Sequence, residues 1–225
     1  MRFSLLLRGI VCGQFLAVFS LLFVPLHTKA QDSLRLTSRT RFHNGGYTTH
    51  EAWQRNRPSV PLDSLKGAYL LSPSGATIVS TDARMRKFKV FCLDGVAYTA
   101  HTKTTNSTDT TTTTFYQLPL LGLLCYYTFD EEHTRRLEMP VYDPQSGRLL
   151  YVRSEKRTDI ETVRKLLDWR TGREYDFTLA AFARLAADDP KLLNSLRDLR
   201  PAEAQTKLFK CLLIYNDRHA AYLTP

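Results

Sequence analysis

Two strand-like runs meet at Asp94-Gly95, and that dipeptide constrains the fold of this chain more than any other feature. Lys87-Phe88-Lys89-Val90-Phe91-Cys92-Leu93 precedes it and Val96-Ala97-Tyr98-Thr99-Ala100 follows. Both runs are rich in the β-branched and aromatic residues that suit a pleated surface. Asp-Gly accepts the positive φ angles of a two-residue loop, so the pair reads as a tight antiparallel hairpin. The same composition extends over residues 66–153, which predicts an antiparallel, hairpin-rich β-meander. A second hairpin is expected from residues 137–142 and 148–152 around the turn Asp143-Pro144-Gln145-Ser146-Gly147. Residues 115–118 and 123–129 read as strands buried on at least one face. The Thr-rich tract 102–114 has little apolar surface to bury and reads as an exposed loop.

Past Thr158 the spacing lengthens. Ile160, Val163, Leu166 and Leu167 fit one face of a helix with Asp159 as its cap, and further helices are expected over 178–187, 190–199 and from 201 to about 219. Pro190 and Pro201 sit where a first helical turn accepts proline. Near the other end, Thr48 and Glu51 have capping-box spacing ahead of a short helix carrying Trp53. The expected fold class is therefore α+β: a β-meander followed by a C-terminal group of packed α-helices, with a short N-terminal helix. In domain terms, residues 42–157 form the mainly β region and 158–225 the helical region packed on it, as one compact domain.

The first 30 residues read differently. Arg2 and Arg8 precede an apolar run over 9–26, and Thr28-Lys29-Ala30 stands before Gln31, the three-part order of a secretory signal peptide. Cleavage is expected between Ala30 and Gln31, with 31–41 a flexible leader. A retained anchor is the alternative, since the run is just long enough to span a bilayer. Cys12 precedes most of the apolar run, which does not fit lipidation. Behind a bacterial leader the sequon Asn106-Ser107-Thr108 carries little weight. Removing 30 of 225 residues leaves 195, enough for a well-buried domain. It also takes three of the 31 basic residues and none of the 22 acidic ones, so net charge falls from +9 to +6. That excess is moderate and is not the footprint of a nucleic-acid binder. No later segment is apolar enough for integral membrane insertion.

Gly46-Tyr47-Thr48-Thr49-His50-Glu51 with Asn56 and Pro58, then Asp94-Gly95-Val96-Ala97-Tyr98, then Leu213-Ile214-Tyr215-Asn216 with Arg218 follow one another across residues 42–222. In that order they resemble uncharacterised secreted proteins of Bacteroidetes-type bacteria. The resemblance implies export and a strand-then-helix layout; it supplies no activity and no site residues.

Motifs for chemistry are sparse. The five histidines after the leader lie in five separate segments, with no paired-ligand spacing, and no cofactor loop or nucleophile elbow occurs. Asp130-Glu131-Glu132-His133 reads as a solvated acidic turn, since neighbours on a turn do not all converge on one ion. Cys92 and Cys125, on two expected strands, form the candidate disulfide, against buried thiols as the alternative. Within Arg84-Met85-Arg86-Lys87-Phe88-Lys89, strand alternation places Lys87 and Lys89 on one face, a candidate patch for anionic lipid or glycan on an otherwise solvated edge strand. Tyr47, Trp53, Tyr98, Tyr116, Tyr126 and Tyr127 either fill the core or stack on sugar rings in one groove. The functional expectation is an exported, noncatalytic envelope binding module whose partner is an envelope protein or glycan. The alternative is a hydrolase-like enzyme acting on an envelope polymer, with a site assembled in space. N-terminal sequencing of released material is expected to begin near Gln31; Met1 retained in a membrane fraction would contradict cleavage.

Overall fold

The Asp94-Gly95 turn forms as its residues dictate. Asp94 has φ 53° and Gly95 φ 77°, and together they close β5 (Val90–Leu93) onto β6 (Val96–Thr102), with Leu93 opposite Val96. The computed structural model describes residues 33–102 and 112–224. The leader, its cleavage point at Ala30 and most of the Thr-rich tract, the sequon included, lie outside the described residues.

Around that hairpin grows a curled seven-stranded antiparallel sheet in the order β2-β1-β5-β6-β7-β4-β3. β5, β6 and β7 (Thr113–Gln117) are its meandering centre. The hairpin of β3 (Leu70–Leu71) and β4 (Thr77–Ser80) folds back onto β7, and β1 (Gly45–Tyr47) with β2 (Val60–Pro61) lies against β5. Gly46 is required there, because a Cβ would stand 2.5 Å from the Phe88 ring. Between β1 and β2 runs α1 (His50–Gln54), capped by Thr49, whose hydroxyl accepts from Ala52 N–H. The cap is thus one residue later than the Thr48/Glu51 spacing suggests, and Thr48 bonds Ser59 instead.

The sheet is buried on both faces by alternation. Phe91, Tyr98, Phe115 and Ile78 pack beneath the 3-10 turns that carry Leu65 and Met85. Val90, Cys92 and Ala97 face the second sheet.

That second sheet overturns the expected layout. β8 (Leu124–Tyr142) and β9 (Leu149–Asp168) form a long hairpin, joined at the base of β9 by β10 (Glu174–Asp176). Residues 158–168 are therefore strand, not helix. Strands dominate the chain, and the β-meander followed by a packed helix group is replaced by a seven-stranded and a three-stranded sheet with four helices among the described residues. The physical reason lies at the base of the hairpin, which is covered on both sides. Cys125, Tyr127, Phe129 and Leu167 point into the core shared with the large sheet, with Val163 packed against it. Leu124 and Leu166 point into the core shared with the helices. When both faces of a strand are apolar, alternation disappears and the spacing imitates a helix.

The three later helices form where proline and capping residues place them: α2 (Leu179–Leu185) after Thr178, α3 (Pro190–Arg197) after Asp189 and α4 (Pro201–Arg218). Phe182, Leu192, Leu196, Leu208, Leu212 and Tyr215 cover the base of the hairpin. The segment expected to be a flexible leader is tied down from Ser33 onward: Leu36 is buried, Leu36 N–H donates to Ala221 O at 2.8 Å and Leu223 N–H to Leu34 O at 2.9 Å.

Leu166→Ala is expected to lower unfolding free energy by about 2–5 kcal/mol, and Ile160→Ala to stay within about 0.5 kcal/mol, in urea titrations. Ile160 is 69% exposed in the hairpin but would share the buried face in a helix, so equal losses would return residues 158–168 to the helical reading.

Candidate functional site

Beyond Phe129 on β8 and before Val163 on β9, no residue is buried. The outer part of the hairpin is therefore a two-stranded arm of residues 130–142 and 149–162, extending about 40 Å at roughly 3.3 Å per residue. A two-stranded ribbon is marginal by itself in water, so its base must hold it. Asn216 of α4 does this in the manner of a neighbouring strand: its Oδ1 accepts from Leu124 N–H at 2.9 Å and its Nδ2 donates to Leu124 O at 2.8 Å. Gly122 lets that amide approach, since a Cβ would meet it at 2.5 Å. On the other side Trp169, immediately after β9, stacks edge-on against Trp53 at 4.6 Å, and its carbonyl accepts from Gln54 Nε2 at 2.6 Å.

The arm is banded. Near the base stand Asp130, Glu131, Glu132, Asp159 and Glu161; further out come Arg135, Arg136, Lys156 and Arg157. The outermost band is apolar and exposed: Met139, Tyr142, Leu149, Leu150, Tyr151 and Val152 are each about half exposed or more, from 49% to 58%. A monomeric surface rarely gathers apolar side chains in this way without a use for them. The turn beyond them is polar. Asp143 Oδ1 accepts from the N–H groups of Gln145 and Ser146, which hold its carboxyl below the usual range.

The acidic cluster is not on a turn. Asp130-Glu131-Glu132-His133 lies in β8, where alternation sends Glu131 and His133 to one face and Asp130 and Glu132 to the other. His133 Nε2 stands 3.9 Å from Glu131 and 3.7 Å from Glu161. No group of three or more His, Cys, Asp or Glu among the described residues is arranged to hold a metal.

Lys87 and Lys89 are exposed but do not share a strand. Lys87 ends a 3-10 turn and sits 5.9 Å from the Phe88 ring, and Lys89 precedes β5. Lys89 N–H donates to Tyr47 O and its carbonyl accepts from Ala100 N–H, so this segment has neighbours on both sides and is not an edge. Cys92 and Cys125 are free thiols in the same core cluster, and Cys211 on α4 is half-buried and also free. Burial pushes the Cys125 thiol up to about 12 and raises Cys92 well above its ordinary value. Tyr47, Trp53, Tyr98 and Tyr127 are buried in two different cores and form no common groove.

Tyr126 lines an open cleft of about 660 Å³ at the base of the arm, together with Glu161, Arg164, Asp176, Phe177 and Phe209. Its two carboxylates differ from a glycosidase pair. Asp176 is ion-paired with Lys165 at 2.6 Å, and the Glu161 side chain is 74% exposed, so neither has the apolar surroundings of a general acid. Sequence reading placed the outer end of the arm, 137–142 and 148–152, in a hairpin but missed its length, because 130–133 read as an acidic turn and the residues after Thr158 as a helix; the signal passed over was the run of β-branched residues Thr158, Ile160, Thr162 and Val163.

Comparison of the chain with protein-family models, with curated proteins and with solved structures finds no match to any of the three.

All three thiols are expected to react with a disulfide reagent once the unreduced protein is denatured, while Cys125 stays silent in the native state near neutrality. One reactive thiol in place of three would establish a bridge. Because folding raises the Cys125 pKa from 9.0 to about 12, the folded state holds the proton longer; its contribution is full below pH 9 and is lost as pH rises toward 12. The alkaline fall in stability should be shallower in Cys125→Ala.

Proposed function

We propose that the protein is an exported envelope module that acts by binding, and that the β8–β9 arm is its binding element. The observation that carries this reading is the exposed apolar band at the end of a ribbon that contributes nothing to the core. An arm of this length costs conformational order, and its own ladder returns little of it, so burial against a partner is the gain that accounts for it. Export rests on the leader, and no helix of the described residues is long and apolar enough to cross a membrane.

The partner is a protein more than a bilayer or a glycan. The turn Asp143-Pro144-Gln145-Ser146-Gly147 stands outside the apolar band with a charged carboxyl, and entry into lipid would bury it first. The arm also carries open backbone edges, which protein strands satisfy and sugars do not. Tyr142, Tyr151 and Leu150 supply the rigid apolar contact area typical of protein interfaces.

A photo-crosslinking residue placed at Val152 in living cells is expected to give an adduct of discrete mass, lost when Tyr142 and Tyr151 are both changed to Ser. Absence of any adduct along the arm would contradict the binding role.

A further inference from the structure

The cleft at the base of the arm is walled by a strand edge. Side chains alternate between the faces of a strand, so a hollow on one face is lined by every second residue. Here the consecutive residues 161–164 line one side, and 176–179 line the other. The wall therefore includes the backbone edge of β9.

The chain itself shows what this edge accepts. β10 runs antiparallel along β9, with Glu174 opposite Leu167 and Asp176 opposite Lys165, and Phe177 N–H still donates to Arg164 O at 2.9 Å. At Thr178, the cap of α2, the backbone turns away, and no strand of the described residues continues along β9. Arg164 O points outward, so by alternation the N–H and C=O groups of Thr162 and Ile160 do the same. Past Phe177 that edge is open to another strand.

Each position along the edge has its own surroundings. A residue opposite Thr162 lies on the face of Tyr126 and Phe177, whose rings meet edge-on at 5.4 Å, while Phe209 of α4 meets Tyr126 at 5.1 Å and stays 39% exposed. Three rings so placed suit an aromatic or large aliphatic side chain. The next residue of the added strand stands opposite Glu161 on the other face, where that carboxylate is 74% exposed and 3.7 Å from His133. A basic side chain complements it. The residue after that meets Ile160, which is apolar and 69% exposed. An extended peptide in the order apolar, basic, apolar matches all three positions and bonds the outward backbone of Thr162 and Ile160, which a sugar does not.

We propose that this cleft is a peptide site: an extended segment of a partner protein adds antiparallel to β9 on the line that β10 leaves, with a large apolar residue opposite Thr162, a basic residue opposite Glu161 and an apolar residue opposite Ile160. The site is at the base of the arm and is independent of the apolar band at its end.

The probe is a short capped peptide of the order Thr-Phe-Lys-Leu-Thr, titrated to millimolar concentration into the protein expressed from its full coding sequence, with the amide signals of Ile160 and Thr162 followed by NMR. Both amides are expected to shift saturably and to exchange more slowly. Thr162→Pro removes an outward donor and leaves the β8 ladder intact, a place where edge strands accept proline, and should weaken binding about tenfold. Glu161→Lys should weaken it about fivefold, and the peptide Thr-Phe-Glu-Leu-Thr should recover the loss. Glu161 is exposed, so unfolding of that variant should match wild type and loss of binding is not loss of fold. Amides of Ile160 and Thr162 that stay unshifted would overturn the proposal, as would binding indifferent to the exchange at Glu161 or equal binding of Thr-Ser-Lys-Ser-Thr. Saturable binding of a linear oligosaccharide in place of the peptide would overturn it too, and would make the cleft a sugar site. None of these results alters the Val152 adduct, which reads the outer band alone.

Discussion

Everything in this structure depends on the burial of one short piece of hairpin from both sides. Residues 124–129 of β8 and 163–168 of β9 lie between the seven-stranded sheet and three helices. Tyr127 and Cys125 are fully buried on one side, and Leu124 and Leu166 on the other. That sandwich supplies the apolar contact that a two-stranded ribbon lacks, and it is what lets the same two strands continue into solvent as an arm. The helices are best understood as the outer cover of this ribbon.

The motifs that stand out in the sequence are joints of the sandwich. Tyr47 donates to His43 O at 2.7 Å and to Asn56 Oδ1 at 3.1 Å, fixing the loop around α1. His50 and Gln54 reach across to the carbonyl of Trp169 at the end of β9. Tyr215 donates to Asp188 at 2.9 Å, Asn216 holds Leu124, and Arg218 donates to Asp189, the cap of α3, at 2.9 Å. Arg218 also keeps the Asp189 carboxyl below its ordinary range, so this joint is strongest above acidic pH and weakens as pH falls through that lowered value. Their chemistry is that of position, which explains why none of them resembles a catalytic set.

Local structure was legible wherever a residue has one strong backbone preference. Asp94-Gly95 closed its hairpin, the turn at Asp143–Gly147 closed another, and Pro190 and Pro201 opened helices. What misled was burial on two faces: Val163 and Leu167 point one way and Leu166 the other, and their mixture has no period of two. The order of the sheet was equally hidden, because pairing of β1 with β5 and of β4 with β7 is decided by distant partners. Of the candidate sites, Lys87 and Lys89 are both exposed yet sit on different local structures, and Cys92 and Cys125 share a core as free thiols. The outer end of the arm, 137–142 and 148–152, was legible as a hairpin, but the continuity of both strands through 130–136 and 153–162 was not, because a register is not written in either strand alone.

The central claim is that one hairpin is core at its base and a recognition edge further out. Amide-resolved hydrogen exchange of the isolated protein tests it most directly. The account predicts slow exchange for 124–129 and 163–168, and fast exchange for the amides of residues 130–137 that face away from β9. Exchange at the base as fast as in 130–142 and 149–162 would contradict it.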